Sequence, residues 1–118
     1  MQNSKPYDLE ERTFQFAKSV ALYVRSLPRT SSNIEYVSQV VRSSGSVGAN
    51  YIEANEALSK KDFLLRIKIC RKEAKESAYW LRLIVETNER GFSQDGSRLC
   101  GEAGELKKIL SAIHEKSA

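Results

Sequence analysis

The sequence predicts an all-α protein, an antiparallel up-and-down four-helix bundle. Three observations point there. Four segments carry apolar residues at steps of three and four, and none sustains the two-residue alternation of a strand. Apart from GFSQDGS at 91–97, the segments are joined by short connections, which force successive helices to run antiparallel. With 118 residues, 41% of them hydrophobic and 29% charged, the chain suits one domain around a single core, residues 1–118.

The first helix is expected over 8–27, with Leu9, Phe16, Val20, Val24 and Leu27 on one face and Pro28 as its stop. The second, over 33–57, has Asn33 as its cap and Ile34, Val37, Val41, Gly48 and Ile52 at helical spacing. The third, over 60–89, is the most regular. Phe63, Ile67, Cys70, Ala74, Ser77, Leu81, Ile84 and Asn88 alternate steps of four and three, Ser59 with Asp62 resembles a capping box with Asp in the Glu position, and Gly91 follows the end. The fourth, over 97–115, carries Leu99, Ala103, Leu106, Leu110 and Ile113.

Net charge is +4, and its location is informative. Residues 59–88 hold eight basic and four acidic side chains, while the remainder of the chain is balanced. A local surplus of this kind attracts polyanions. Cys70 and Cys100 are far apart and form no CxxC pair, which fits a reducing compartment and buried free thiols. There is no apolar run of membrane-spanning length, so a soluble, cytoplasmic protein with no membrane contact is expected.

The stretch RSSGSVGAN at 42–50 allows two readings, a phosphate-cradling loop or a closely packed helix. A P-loop needs a Lys after its last glycine, and a dinucleotide fingerprint needs a third glycine between strand and helix; neither is present. The GxxG of a KH module needs a sheet to host it. Two interior glycines cost a helix roughly 1 kcal/mol each, so close packing at Gly45, Gly48 and Ala49 is expected to offset them.

The run from Arg42 to Ile84 resembles the signature of a bacterial four-helix-bundle family whose founding members are encoded within intervening sequences of 23S ribosomal RNA genes. The matching residues are Arg42 and Ser43; Ser46, Gly48 and Asn50; Glu53 and Ala54; Ser59, Asp62 and Phe63; Lys72, Glu73 and Glu76; Trp80 and Leu81. The resemblance covers roughly residues 8–115 and departs at GFSQDGSRLC. It implies a homo-oligomer, a ring or barrel of five bundles. A related branch is the accessory subunit of diversity-generating retroelements, which assists a reverse transcriptase and binds nucleic acid. For most members no activity is established.

If the second and third helices pair about a turn near 58–60, facing positions sum to about 118. Arg42 then faces Glu76, Ser46 faces Lys72 and Asn50 faces Lys68, a polar seam that also takes in Glu73. One reading makes it a device that fixes register; the other makes Glu73 and Glu76 acid–base groups beside Arg42. No metal or cofactor is expected, because a di-iron bundle needs two ExxH motifs and the single histidine, His114, follows a serine three residues earlier. Cys70 has no neighbouring base in sequence, so an enzyme is not expected.

Lys61, Lys68, Lys72, Lys75 and Arg82, with Arg71 beside them, follow helical spacing on the third helix. They form either a solvated face with pairs such as Lys72–Glu76 and Arg82–Glu86, or a stripe for the phosphates of RNA or DNA. The leading expectation is a non-enzymatic, oligomeric nucleic-acid-binding bundle, accessory to a nucleic-acid enzyme. The alternative is a protein–protein scaffold that holds copies or partners together without nucleic acid.

Overall fold

A computed structural model describes residues 8–118, and all of its regular elements are helical. The chain runs through α1 (Leu9–Val24), α2 (Ser31–Asn55), α3 (Lys60–Thr87), a single 3-10 turn (Arg90–Phe92) and α4 (Ser93–Ser117). α3, with 28 residues, is about 42 Å long at 1.5 Å per residue and fills the 45 Å long axis of the molecule. The shortest dimension, 19 Å, is two helix diameters. α3 is the spine, packed along α2 on one flank and α4 on the other, while α1 lies mainly on α2.

α1, α2 and α3 each begin where a side chain takes up an orphan backbone N–H. Asp8 accepts from the Glu11 amide at 3.2 Å, and Glu10 and Glu11 place negative charge at the positive end of α1. α1 stops three residues before the expected Leu27, because the residue preceding Pro28 is disfavoured in the helical region. Leu27 is still buried. Ser59 accepts from the Asp62 amide at 3.0 Å, the expected cap of α3.

The starts of α2 and α4 also differ from expectation. The cap of α2 is Thr30, which accepts from the Asn33 amide at 3.1 Å; Asn33 lies inside the first turn. Its amide points inward instead, donating to the Pro28 carbonyl and exchanging two hydrogen bonds, of 2.8 and 2.9 Å, with Asn88 at the end of α3. Asn88 also donates to the Ile84 carbonyl, so every amide hydrogen of the pair is used. α4 begins at Ser93, four residues before the expected Ser97. The turn-forming look of GFSQDGS misleads here, because Gly96 is helical for a packing reason. A Cβ there would run into the Tyr23 hydroxyl and Val85. Tyr23 passes through that gap and donates to the Phe92 carbonyl at 2.6 Å. Gly91 is not the left-handed terminator of α3 either, since no described residue has a positive φ; α3 ends in the extended backbone of Asn88.

The predicted apolar face of α3 is the core. Ile67, Cys70, Ala74, Ser77, Leu81 and Ile84 are inaccessible to solvent, and they meet Val40 and Val47 of α2, Val20 of α1, and Ala103, Leu106 and Leu110 of α4. Each large aliphatic side chain of this set stabilises the fold by about 1.5–3 kcal/mol. The looser α1–α4 side is closed by a bidentate pair, Arg12 to Glu102 at 2.7 and 2.9 Å, and that hydrogen bonding raises the Arg12 pKa further.

Candidate nucleic-acid interface

The polar seam between α2 and α3 has an inner and an outer row. Inside, Ser77 donates to the Glu73 carbonyl at 2.9 Å, which leaves Ser43 as the donor in its 2.9 Å contact with Ser77. Both serines are buried, so this short chain satisfies hydroxyls that would otherwise cost about 1–3 kcal/mol. Outside, Arg42 donates to Glu76 at 2.8 Å and more loosely to Glu73 at 3.4 Å. Glu73 is 7% exposed, so Arg42 supplies the counter-charge of a nearly buried carboxylate.

Nearer the α2–α3 turn the pairing departs from expectation. Asn50 accepts from Arg66 at 3.0 Å rather than from Lys68, and it donates back to the Ser46 carbonyl and hydroxyl. Arg66 is long enough to reach across, whereas Lys68 is exposed and turned away from α2. Ser46 therefore has an intrahelical partner, and Lys72 is free of the seam and exposed.

The close-packing glycines also divide. A Cβ on Gly48 would sit 3.0 Å from Thr13 Oγ1, so α1 is the helix that needs this glycine small. Thr13 is fully buried, with its hydroxyl bonded to the Leu9 carbonyl at 2.6 Å. Gly45 has open space where a Cβ would stand, and Ala49 is exposed; neither lies against another helix of this chain. They belong to an outward strip of α2 shared with Ile34, Val41 and Ile52, each about half exposed.

The cations lie on the opposite side of the seam. Lys61, Lys68, Lys72, Lys75 and Arg82 are exposed and Arg71 is half-buried. Arg82 is held by Glu86 at 3.1 Å, but no carboxylate of the described residues pairs with Lys68, Arg71, Lys72 or Lys75. The anticipated Lys72–Glu76 pair is absent because Arg42 holds Glu76. Lys68, Arg71, Lys72 and Lys75 line a shallow groove floored by Leu65 and Ile69 and completed by Lys107 of α4. On the other side, Lys72 and Lys75 also border a depression with Gln39, Arg42, Tyr79 and Trp80. Tyr79 is 59% exposed and meets Trp80 edge-on at 5.2 Å, with Tyr36 at 6.1 Å behind the indole.

The remaining candidate chemistry is thin. No three His, Cys, Asp or Glu side chains converge among the described residues. Burial pushes the Cys70 thiol up to about 12, which keeps it protonated and unreactive near neutral pH. Cys100 is also shifted up by burial, and its thiol lies 3.5 Å from the Ala78 carbonyl. No described helix is long and apolar enough to cross a membrane.

Residues 6–112 match the model of the 23S rRNA-intervening sequence protein family. The chain belongs to that family. A crystal structure of a protein of unknown function from the S23 ribosomal protein family of Bacteroides thetaiotaomicron VPI-5482 is similar, with 31% identity and a TM-score of 0.74. The match covers 89% of this chain and 96% of that one. No curated protein matches the chain.

Within the fold, most residues of the signature make contacts between or within the helices. Arg42, Ser43, Glu73 and Glu76 join α2 to α3, Gly48 admits α1, and Ser59 starts α3. Two participants escaped the sequence reading. Arg66 was masked by the nearby lysines, and only a register shifted by two residues identifies it. Lys107 lies on α4 and is brought to the α3 cations by packing alone.

Proposed function

We propose that this chain is a non-enzymatic, oligomeric bundle that binds nucleic acid through the cationic surface of α3, as an accessory to a nucleic-acid enzyme. The carrying observation is that Lys68, Arg71, Lys72 and Lys75 lie together on the surface with no carboxylate partner among the described residues. Unpaired surface cations gain by releasing the counterions condensed on a phosphate backbone. Lys61 and Arg82 extend the stripe at its two ends. Nothing in it resembles a base-reading motif, so the binding is sequence-tolerant and salt-dependent. The accessory role, beside a reverse transcriptase or a comparable enzyme, is supported by the family resemblance alone.

The oligomeric part has support of its own. Phe14 and Leu22 of α1 and Ile34, Val41 and Ile52 of α2 are each roughly half exposed, while Gly45 and Ala49 leave the backbone of α2 uncovered. A second copy laid on the outward strip of α2 removes that apolar surface from water and leaves the α3 cations free. The family resemblance favours five copies in the assembly. The same face supports the alternative, a scaffold for protein partners that has no nucleic-acid role.

The test is fluorescence anisotropy with labelled RNA and duplex DNA at low and near-physiological salt, with light-scattering mass on the same sample. Micromolar or tighter binding that falls steeply with salt, and disappears in the Lys68→Glu/Lys72→Glu/Lys75→Glu variant, is expected. A folded oligomer that binds neither nucleic acid at low salt leaves the scaffold reading in its place.

A further inference from the structure

Two depressions flank the Lys72–Lys75 ridge, and they differ in chemistry. The α3–α4 groove presents five cations, Lys107 among them, and no carboxylate. The α2–α3 depression presents aromatic surface, and its one carboxylate, Glu76, is held by Arg42 at 2.8 Å. One side therefore suits phosphates, and the other suits a flat apolar ring with little charge repulsion. Tyr79 is well placed for the second task, because its exposed ring is backed edge-on by Trp80 and so is held with little rotational freedom to lose.

We infer that Lys72 and Lys75 form a saddle for a single strand, whose phosphates lie in the α3–α4 groove completed by Lys107 while a base stacks on Tyr79. This assignment rests on the proposed nucleic-acid binding and narrows it to unpaired RNA or DNA. A duplex keeps its bases stacked inside and presents phosphates on two strands, so it engages the cations but not the ring. A single strand offers both groups at once, the combination used where cationic grooves and aromatic platforms meet. Lys107 belongs to the site because it opposes the α3 cations across the groove, so a backbone lying there is contacted from both helices.

The experiment is anisotropy with a short single-stranded RNA and a duplex of the same length, using the full chain and its Lys107→Ala, Tyr79→Ala and Tyr79→Phe variants. Both positions of substitution are solvent-exposed, and circular dichroism checks that each variant remains helical. The single strand is expected to bind more tightly than the duplex. Tyr79→Ala is expected to weaken the single strand about tenfold and to leave the duplex unchanged, while Tyr79→Phe retains the affinity. Lys107→Ala is expected to lower the salt slope for the single strand by about 0.7. Equal affinity for the two forms, with neither Tyr79→Ala nor Lys107→Ala having an effect, overturns the saddle but spares the broader reading. Absence of binding to both forms overturns the two together.

Discussion

On its α2 flank, α3 places its charged side chains in contact with another helix; on its α4 flank it leaves them in water. Arg42, Glu73, Glu76, Asn50 and Arg66 all have partners across or along the first flank, and the buried Ser43–Ser77 contact runs beneath them. On the second flank the packing is apolar, through Leu99, Ala103, Leu106 and Leu110, and the cations at its rim pair with no carboxylate of the described residues. The difference separates two jobs. Paired charges specify which residues face one another, and unpaired charges remain available to something outside the chain.

The comparison can be broken at its shared floor. Leu81 is inaccessible in the core between the two flanks, and Leu81→Ala is expected to cost about 2–5 kcal/mol, read as a lower midpoint in guanidinium unfolding. Arg42→Ala tests the paired flank by itself. It leaves the nearly buried Glu73 without a cation, but the Arg42 side chain is 53% exposed and the effect is screened, so about 1–2 kcal/mol is expected. A loss below a few tenths there would mean that the seam is decorative.

Alkaline pH separates the core thiol from the rest. The Cys70 pKa is raised by burial from the ordinary 9 to about 12, so the unfolded thiol ionises first as pH rises. Its contribution is complete below pH 9 and is lost progressively between pH 9 and 12. At pH 10 the loss is on the order of 1 kcal/mol. Tyr23 and Tyr51 shift in the same direction through burial, so the share of Cys70 is the difference in pH slope between the parent chain and Cys70→Ala. The smallest effect is expected on the open flank. Lys72→Ala and Lys107→Ala each change stability by less than about 0.5 kcal/mol, and a larger loss would show that these cations have a partner within the fold.

The four helices were legible because their apolar faces keep step with the helical repeat over several turns, and the Ser59 cap because its spacing to Asp62 is local. The Arg42–Glu76 contact was also legible, since a short turn between two helices nearly fixes which positions oppose. Closer detail was not. Asn50 meets Arg66 because the two helices face each other two residues away from the simplest register, which leaves Lys68 on the α4 side of α3. Gly96 reads as a turn former until Tyr23, far away in sequence, is seen to pass over it. Gly45 and Gly48 are three residues apart, yet only Gly48 faces α1, and composition alone does not separate them. Lys107 carries no local mark of the groove it completes.

The reciprocal Asn33–Asn88 amide pair has a consequence for how the α2–α3 hairpin is selected during folding. Asn50–Arg66 sits near the turn, and Asn33–Asn88 is 17 residues further along α2, roughly 26 Å away. An apolar interface of small and aliphatic residues tolerates sliding, because one leucine is much like the next. A slipped hairpin does not tolerate the loss of these contacts, since it strands amide hydrogens at one end and a guanidinium partner at the other. Misaligned pairings are thus penalised at two distant points, one near the turn and one at the far end of the hairpin.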